Sequence, residues 1–194
     1  MEAQSGGFVF VVGPSGAGKD TLIGLAQQAL AGDPAFVFPR RLVTRPRSEW
    51  EDHDILDPSV FQAGETEGRF ALSWRAHGLG YALPRAALEA AWDGRVVVCN
   101  VSRTAIEEGR RRLPNAVVVE VTAPPDLLAR LAERRRGEDG DLRERLVRST
   151  RIGEIAADVT IVNDREPEAA AGELVAILRQ HAQSCGGARS GLSV

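Results

Sequence analysis

Gly13-Pro14-Ser15-Gly16-Ala17-Gly18-Lys19 is the segment that most restricts how this chain folds. It follows a continuous apolar run, Phe8-Val9-Phe10-Val11-Val12, and precedes a helical pattern that begins at Thr21. An unbroken apolar run of that length fits a strand buried on both faces, as in a parallel sheet. A strand, a turn with the spacing G-x-x-x-x-G-K and a helix together make a phosphate-binding loop. The glycines let successive N–H groups curl into a concave nest. The helix N-terminus adds a partial positive charge, so main-chain atoms hold phosphate oxygens. Lys19 brings a compact ammonium to the β and γ phosphates, a task the wider, planar guanidinium does poorly. Lys19 is also the only lysine in a chain with 24 basic residues, and arginine fills every other basic position.

The same alternation continues beyond the loop. Apolar runs recur at Val96-Val97-Val98-Cys99, at Ala116-Val117-Val118-Val119-Glu120-Val121 and at Val159-Thr160-Ile161-Val162. Helical patterns lie between and after them at 21–31, 84–92, 104–112, 125–136, 141–155 and 166–183, with stripes such as Leu127, Leu128 and Leu131 at helical spacing. Strands alternating with helices predict an α/β layered domain with a mainly parallel sheet. Its 194 residues suffice for one such domain, placed at 1–183. Two segments interrupt the pattern. Residues 44–83, rich in Arg, Asp, His, Gly and Trp with short β-like pieces such as Arg69-Phe70-Ala71-Leu72-Ser73-Trp74, predict an inserted substrate lobe. Gly137-Glu138-Asp139-Gly140-Asp141 predicts a hinge in a lid spanning 134–145. From Ser184 the Gly/Ser-rich tail is expected to be disordered.

With 43% hydrophobic and 26% charged residues, the bulk of the chain can bury a core. A net charge of −3 argues against a general nucleic-acid binder. No apolar run reaches the roughly 18 to 20 residues a membrane crossing needs, and Met1-Glu2-Ala3-Gln4-Ser5 lacks a basic signal-peptide start, so a cytoplasmic protein without membrane partners is expected. Cys99 and Cys185 have no metal spacing and form no disulfide framework.

Position 20 carries Asp where the general motif has the Ser or Thr that ligates Mg²⁺. Asp20, with Thr21 beside it, is therefore the expected metal site, since carboxylates suit Mg²⁺. Motor and switch NTPases end a hydrophobic strand with an acid, whereas the run from Val96 ends in Asn100. The chain has arginines in groups instead: Arg40, Arg41, Arg45 and Arg47 before the insert, and Arg130, Arg134, Arg135, Arg136, Arg145 and Arg148 around the lid. Guanidinium binds phosphate bidentately, so these groups predict a cleft closing over two anionic substrates, hence a kinase of a small phosphorylated acceptor.

Taken in order, the phosphate loop, Thr44-Arg45-Pro46-Arg47, Gly68-Arg69-Phe70-Ala71-Leu72-Ser73-Trp74, Gly78-Leu79-Gly80-Tyr81 and Val162-Asn163-Asp164 resemble the guanylate kinase-like fold of the P-loop NTPases along roughly residues 8–180. That fold resemblance implies three layers. The ending Gly18-Lys19-Asp20-Thr21 and the segment Phe70-Ala71-Leu72-Ser73-Trp74-Arg75-Ala76-His77-Gly78-Leu79 resemble most the ribose 1,5-bisphosphate phosphokinases of phosphonate catabolism. That resemblance implies transfer from ATP, with Mg²⁺, to the 1-phosphate of ribose 1,5-bisphosphate, giving 5-phosphoribosyl 1-diphosphate. It implies Lys19, Arg134, Arg136 and Arg145 as catalytic residues, and residues 13–21 with Asn163 around the nucleotide. Arg45, Arg47, Ser73, Arg75, Tyr81 and Asn100 are implied around the acceptor. Where guanylate kinases read guanine with an acid before the Trp, an Asp ending the middle strand and a Tyr in the early insert, this chain has Ser73, Asn100 and His53. Without those carboxylates a purine edge would be buried unpaired, which predicts an acceptor with phosphate but no base. A guanylate-type nucleoside monophosphate kinase and a non-catalytic binding module of the same fold are the alternatives, and the chain is expected to be a monomer or homodimer.

Overall fold

The computed structural model describes residues 6–46, 53–76, 78–124, 126 and 156–186. Arg47, His77, Arg134, Arg136, Arg145, the 137–141 hinge and the helices expected at 125–136 and 141–155 lie outside the described residues.

The apolar runs form one parallel sheet. Strands β1 (Gly7–Val12), β7 (Val96–Asn100), β8 (Ala116–Thr122) and β9 (Val159–Val162), with a short β2 (Phe36–Val37), lie in the order β2-β7-β1-β8-β9. All neighbours run parallel, with β1 between β7 and β8. Both faces of the central strands are covered, which explains why β1 reads as apolar throughout. Val9, Val11, Val96, Val98, Val119 and Val121 pack against Leu22 and Ala26 of α1 (Lys19–Ala29) and against Leu174 and Leu178 of the last described helix, α5 (Pro167–Gly186). Phe8, Phe10, Val12, Val97, Cys99 and Val118 face the other way, toward α3 (Arg85–Trp92) and Ile106 of α4 (Ile106–Arg112). Each large side chain buried here contributes about 1.5–3 kcal/mol.

The insert is a second small sheet, ordered β4-β3-β6-β5, of β3 (Arg41–Val43), β4 (His53–Ile55), β5 (Phe70–Ala76) and β6 (Leu79–Pro84). It begins three residues before the expected boundary at 44, because β3 pairs with both β4 and β6. It also holds a helix that the polar composition hid, α2 (Pro58–Thr66), whose N-cap Asp57 accepts from Ser59 N at 2.8 Å and Val60 N at 3.4 Å. Leu72, Trp74, Tyr81 and Leu83 face the main sheet and share its core.

The final helix runs through Ser184 to Gly186, so the first residues of the expected disordered tail are helical, while 187–194 lie outside the described residues. No helix among the described residues is long and apolar enough to cross a membrane.

Candidate active site

The phosphate loop leaves the C-terminal end of β1, between β7 and β8, at the position where parallel sheets bind ligands. Gly13 has φ +143°, and a Cβ there would lie 2.0 Å from Val121 O, so the turn out of β1 admits only glycine. Gly18 caps α1 with φ +89°, and its open side lies against Asn163, where a Cβ would come 2.5 Å from Nδ2. Asn163, just after β9, donates from Nδ2 to Ala17 O at 2.9 Å and from its backbone N to Thr122 O at 2.8 Å. The nest is thus built between two glycines and one asparagine. Lys19 Nζ donates to Gly13 O at 3.0 Å and to Pro14 O at 2.8 Å, which sets the ammonium beside the loop's own peptide groups.

Asp20, in the first turn of α1, accepts from Asn100 Nδ2 at 2.7 Å. The sheet register explains the contact. Asn100 is paired with Val11, and Val11 and Val98 both face α1, so Asn100 faces α1 as well. The structure thus places Asn100 on the face of β7 turned to α1, while Cys99 and Val97 take the face turned to the lobe. Thr21 is exposed and follows Asp20 in the first turn of α1. The Asp20 carboxylate is a hard oxygen donor at the expected metal position, with the Thr21 hydroxyl on the next residue. Mg²⁺ in phosphate sites takes one or two carboxylates plus substrate phosphates, so this donor set fits it.

On the lobe, Thr44 is locked to β6: Thr44 Oγ1 accepts from Gly80 N at 2.8 Å, and Thr44 N donates to Gly80 O at 3.0 Å. This fixes Arg45 at the end of β3, where Val43 pairs with Tyr81. Tyr81 stacks on Trp74 with ring centroids 5.5 Å apart and planes at 7°. Trp74 is thereby a packing residue, as its size suggests. His53 is fully buried, with Nε2 3.3 Å from Pro46 O, and so pins the segment that carries Arg45.

Ser73 and Arg75 alternate with Trp74 and fall on the opposite face of β5, paired with Ala82 and Gly80. Arg75 donates to Glu65 Oε2 at 2.7 Å and its guanidinium lies 4.9 Å from the Phe61 ring centre. Both partners are on α2, so the structure does not bring Arg75 to Tyr81, contrary to the expected grouping. Sequence reasoning also misses a half-buried pair at the sheet's C-terminal edge. Arg103 Nη2 lies 3.5 Å from Glu120 Oε1, and Glu120 is registered with Val12 on the face turned to the lobe. The one polar residue inside the apolar run 116–121 is its signal in the sequence.

Against models of known protein families the chain matches none. Individual proteins match it well. It is 57% identical over 175 residues to the ribose 1,5-bisphosphate phosphokinase PhnN of Methylobacterium radiotolerans, covering 90% of this chain and 98% of that one. The protein of the same name from Bradyrhizobium diazoefficiens is 50% identical over 175 residues, covering 90% and 88%. Among solved structures, guanylate kinase from Anaplasma phagocytophilum superposes with a TM-score of 0.69 at 21% identity, covering 93% of this chain and 89% of that one. This last likeness concerns the fold.

Proposed function

The chain belongs to the ribose 1,5-bisphosphate phosphokinase family and is a phosphotransferase, and from that premise we propose that it phosphorylates ribose 1,5-bisphosphate at its 1-phosphate with ATP. The products are 5-phosphoribosyl 1-diphosphate and ADP. The observation that carries this reading is a phosphate loop with Lys19 in place, in a chain 57% identical to its relative across nearly the whole of both.

An oxygen of the acceptor's 1-phosphate attacks the γ-phosphorus of ATP, and the bond from that phosphorus to the β-γ bridging oxygen breaks, leaving ADP. A phosphate monoester has a second pKa near 6, so the attacking oxygen is already largely ionised at pH 7 and needs no general base. What remains for the protein is positioning and neutralisation of charge. Residues 13–21 cradle the nucleotide phosphates, with Asn163 holding the cradle's shape. Lys19 moves its donors from the Gly13 and Pro14 carbonyls to the β and γ oxygens. Asp20 is the residue that would hold Mg²⁺, which when bound neutralises charge on those oxygens. Arg134, Arg136 and Arg145 are proposed to span the transferring group from the lid and to exclude water, which would otherwise hydrolyse ATP. Arg45 and Arg47 are proposed to hold the 5-phosphate.

Product identification tests the proposal. Incubation of the purified protein with MgATP and ribose 1,5-bisphosphate, followed by ³¹P NMR, should show a new diphosphate attached to the sugar together with ADP. Release of inorganic phosphate without a sugar diphosphate would refute it.

A further inference from the structure

We propose that Asn100 is a positioning residue for the metal-holding carboxylate, and that Asp20 and Asn100 exchange the parts that other phosphate-loop enzymes give to a loop hydroxyl and a strand-end acid. In those enzymes the position after the loop lysine is Ser or Thr, and the acid stands at the end of a neighbouring strand. Here the acid is in the loop and its neutral partner ends β7, and the two touch at 2.7 Å. This inference rests on the phosphate-loop reading above.

The exchange has a physical logic. An acid at position 20 facing a second acid at position 100 would place two carboxylates in contact, and one of them would have to stay protonated. Asparagine has nearly the shape of aspartate but presents an N–H donor, so it turns repulsion into a hydrogen bond. Each arrangement, hydroxyl with acid or acid with amide, carries one negative charge in total. What changes is its place: the charge moves from the strand to the first turn of α1, next to Lys19 and the phosphate nest. Asn100 engages Oδ1, which fixes the rotation of the carboxylate and leaves Oδ2 as the oxygen for a cation or its water. The register agrees with the assignment, because Asn100 falls on the face of β7 turned to α1.

The test is Mn²⁺ affinity in the presence of saturating ADP, read from the electron paramagnetic resonance signal of free Mn²⁺, with metal-free ADP binding measured alongside. N100A should weaken Mn²⁺ binding by about ten-fold or more, the usual effect of removing a residue that orients a metal ligand. Metal-free ADP affinity should stay within about three-fold, a split that a merely structural residue would not produce. In a D20A background N100A should have no further effect on Mn²⁺. The double variant D20S/N100D, which restores the hydroxyl-and-acid arrangement, should recover Mn²⁺ affinity to within about three-fold of the unaltered protein. Unchanged Mn²⁺ affinity in N100A overturns the proposal, as does a D20S/N100D protein no better than D20S alone. If N100A instead raises only the KM for the acceptor, Asn100 belongs to the acceptor pocket and the proposal is wrong. Failure of the phosphate-loop reading is seen separately, as absence of ADP binding in the unaltered protein.

Discussion

The side-chain amide of Asn163 donates to the carbonyl oxygen of Ala17 at 2.9 Å, so the chain emerging from β9 is tied to the floor of the phosphate loop. Gly18 lies against the same amide with φ +89°. A methyl at Gly18 meets both a backbone conformation that costs about 1 kcal/mol or more and a contact of 2.5 Å with Nδ2. Gly18→Ala should therefore lower the unfolding free energy by more than about 1 kcal/mol and weaken nucleotide binding. Adding Asn163→Ala should relieve the contact but not the dihedral strain, so stability returns only in part. Denaturant unfolding of the two variants checks this.

Lys19→Ala should reduce turnover by at least about 100-fold while leaving the thermal midpoint within about 2 °C, because the ammonium acts on the transferring phosphate and lies outside the core. Near-normal turnover in a folded Lys19→Ala protein would remove the loop from the mechanism. Steady-state kinetics and a melting curve on the same sample decide between them.

Arg75 and Tyr81 should separate in their effects. Arg75 is paired with Glu65 on the α2 side and largely exposed, and such pairs contribute about 0–1 kcal/mol. Arg75→Ala is thus expected to change the acceptor KM by less than about three-fold and stability by less than about 1 kcal/mol. Tyr81→Ala removes a buried ring stacked on Trp74 and should destabilise by about 3–5 kcal/mol. Chemical denaturation and acceptor titration report both.

Most of the main domain could be read from the chain because both faces of its central strands are covered. Strand β1 and residues 96–99 of β7 are unbroken apolar runs, β8 and β9 are nearly so with Glu120 and Thr160 as interruptions, and the loop with its glycines and lysine is contiguous in sequence. The lobe was harder to read for physical reasons. Asp57-Pro58 is a helix start signal, yet α2 buries little besides Phe61 and Gly64, so its apolar stripe is thin. Ser73 and Arg75 lie on one face of the β5–β6 pair, and Trp74 and Tyr81 lie on the other. From Leu72 onward the alternation is regular, but which face of the lobe turns to the main sheet is set by the tertiary packing of Leu72, Trp74, Tyr81 and Leu83. Asn100 and Asp20 are each conspicuous in the sequence, but their contact spans 80 residues and becomes visible only when β7 lies beside β1. The substitution of an acid for a hydroxyl at one place and an amide for an acid at another was the signal linking them.

Burial pushes the Cys99 thiol up to about 12 from an ordinary value of 9.0. The folded state therefore favours the protonated thiol. Its contribution is fully present below about pH 9 and is lost as pH rises from there toward 12. In a Cys185→Ser background, no thiol should react with a disulfide reagent at pH 8 until the protein unfolds. Rapid stoichiometric labelling of the native state would show that Cys99 is not enclosed between β7 and the lobe. The additional Cys99→Ala change should flatten the alkaline loss of stability in that window.

The identity of the acceptor decides the proposed activity. Measured side by side with saturating MgATP, ribose 1,5-bisphosphate should exceed guanosine monophosphate in kcat/KM by at least about 100-fold, since a base without its polar partners forfeits several kcal/mol. A kcat/KM for guanosine monophosphate equal to or above that for ribose 1,5-bisphosphate would contradict it.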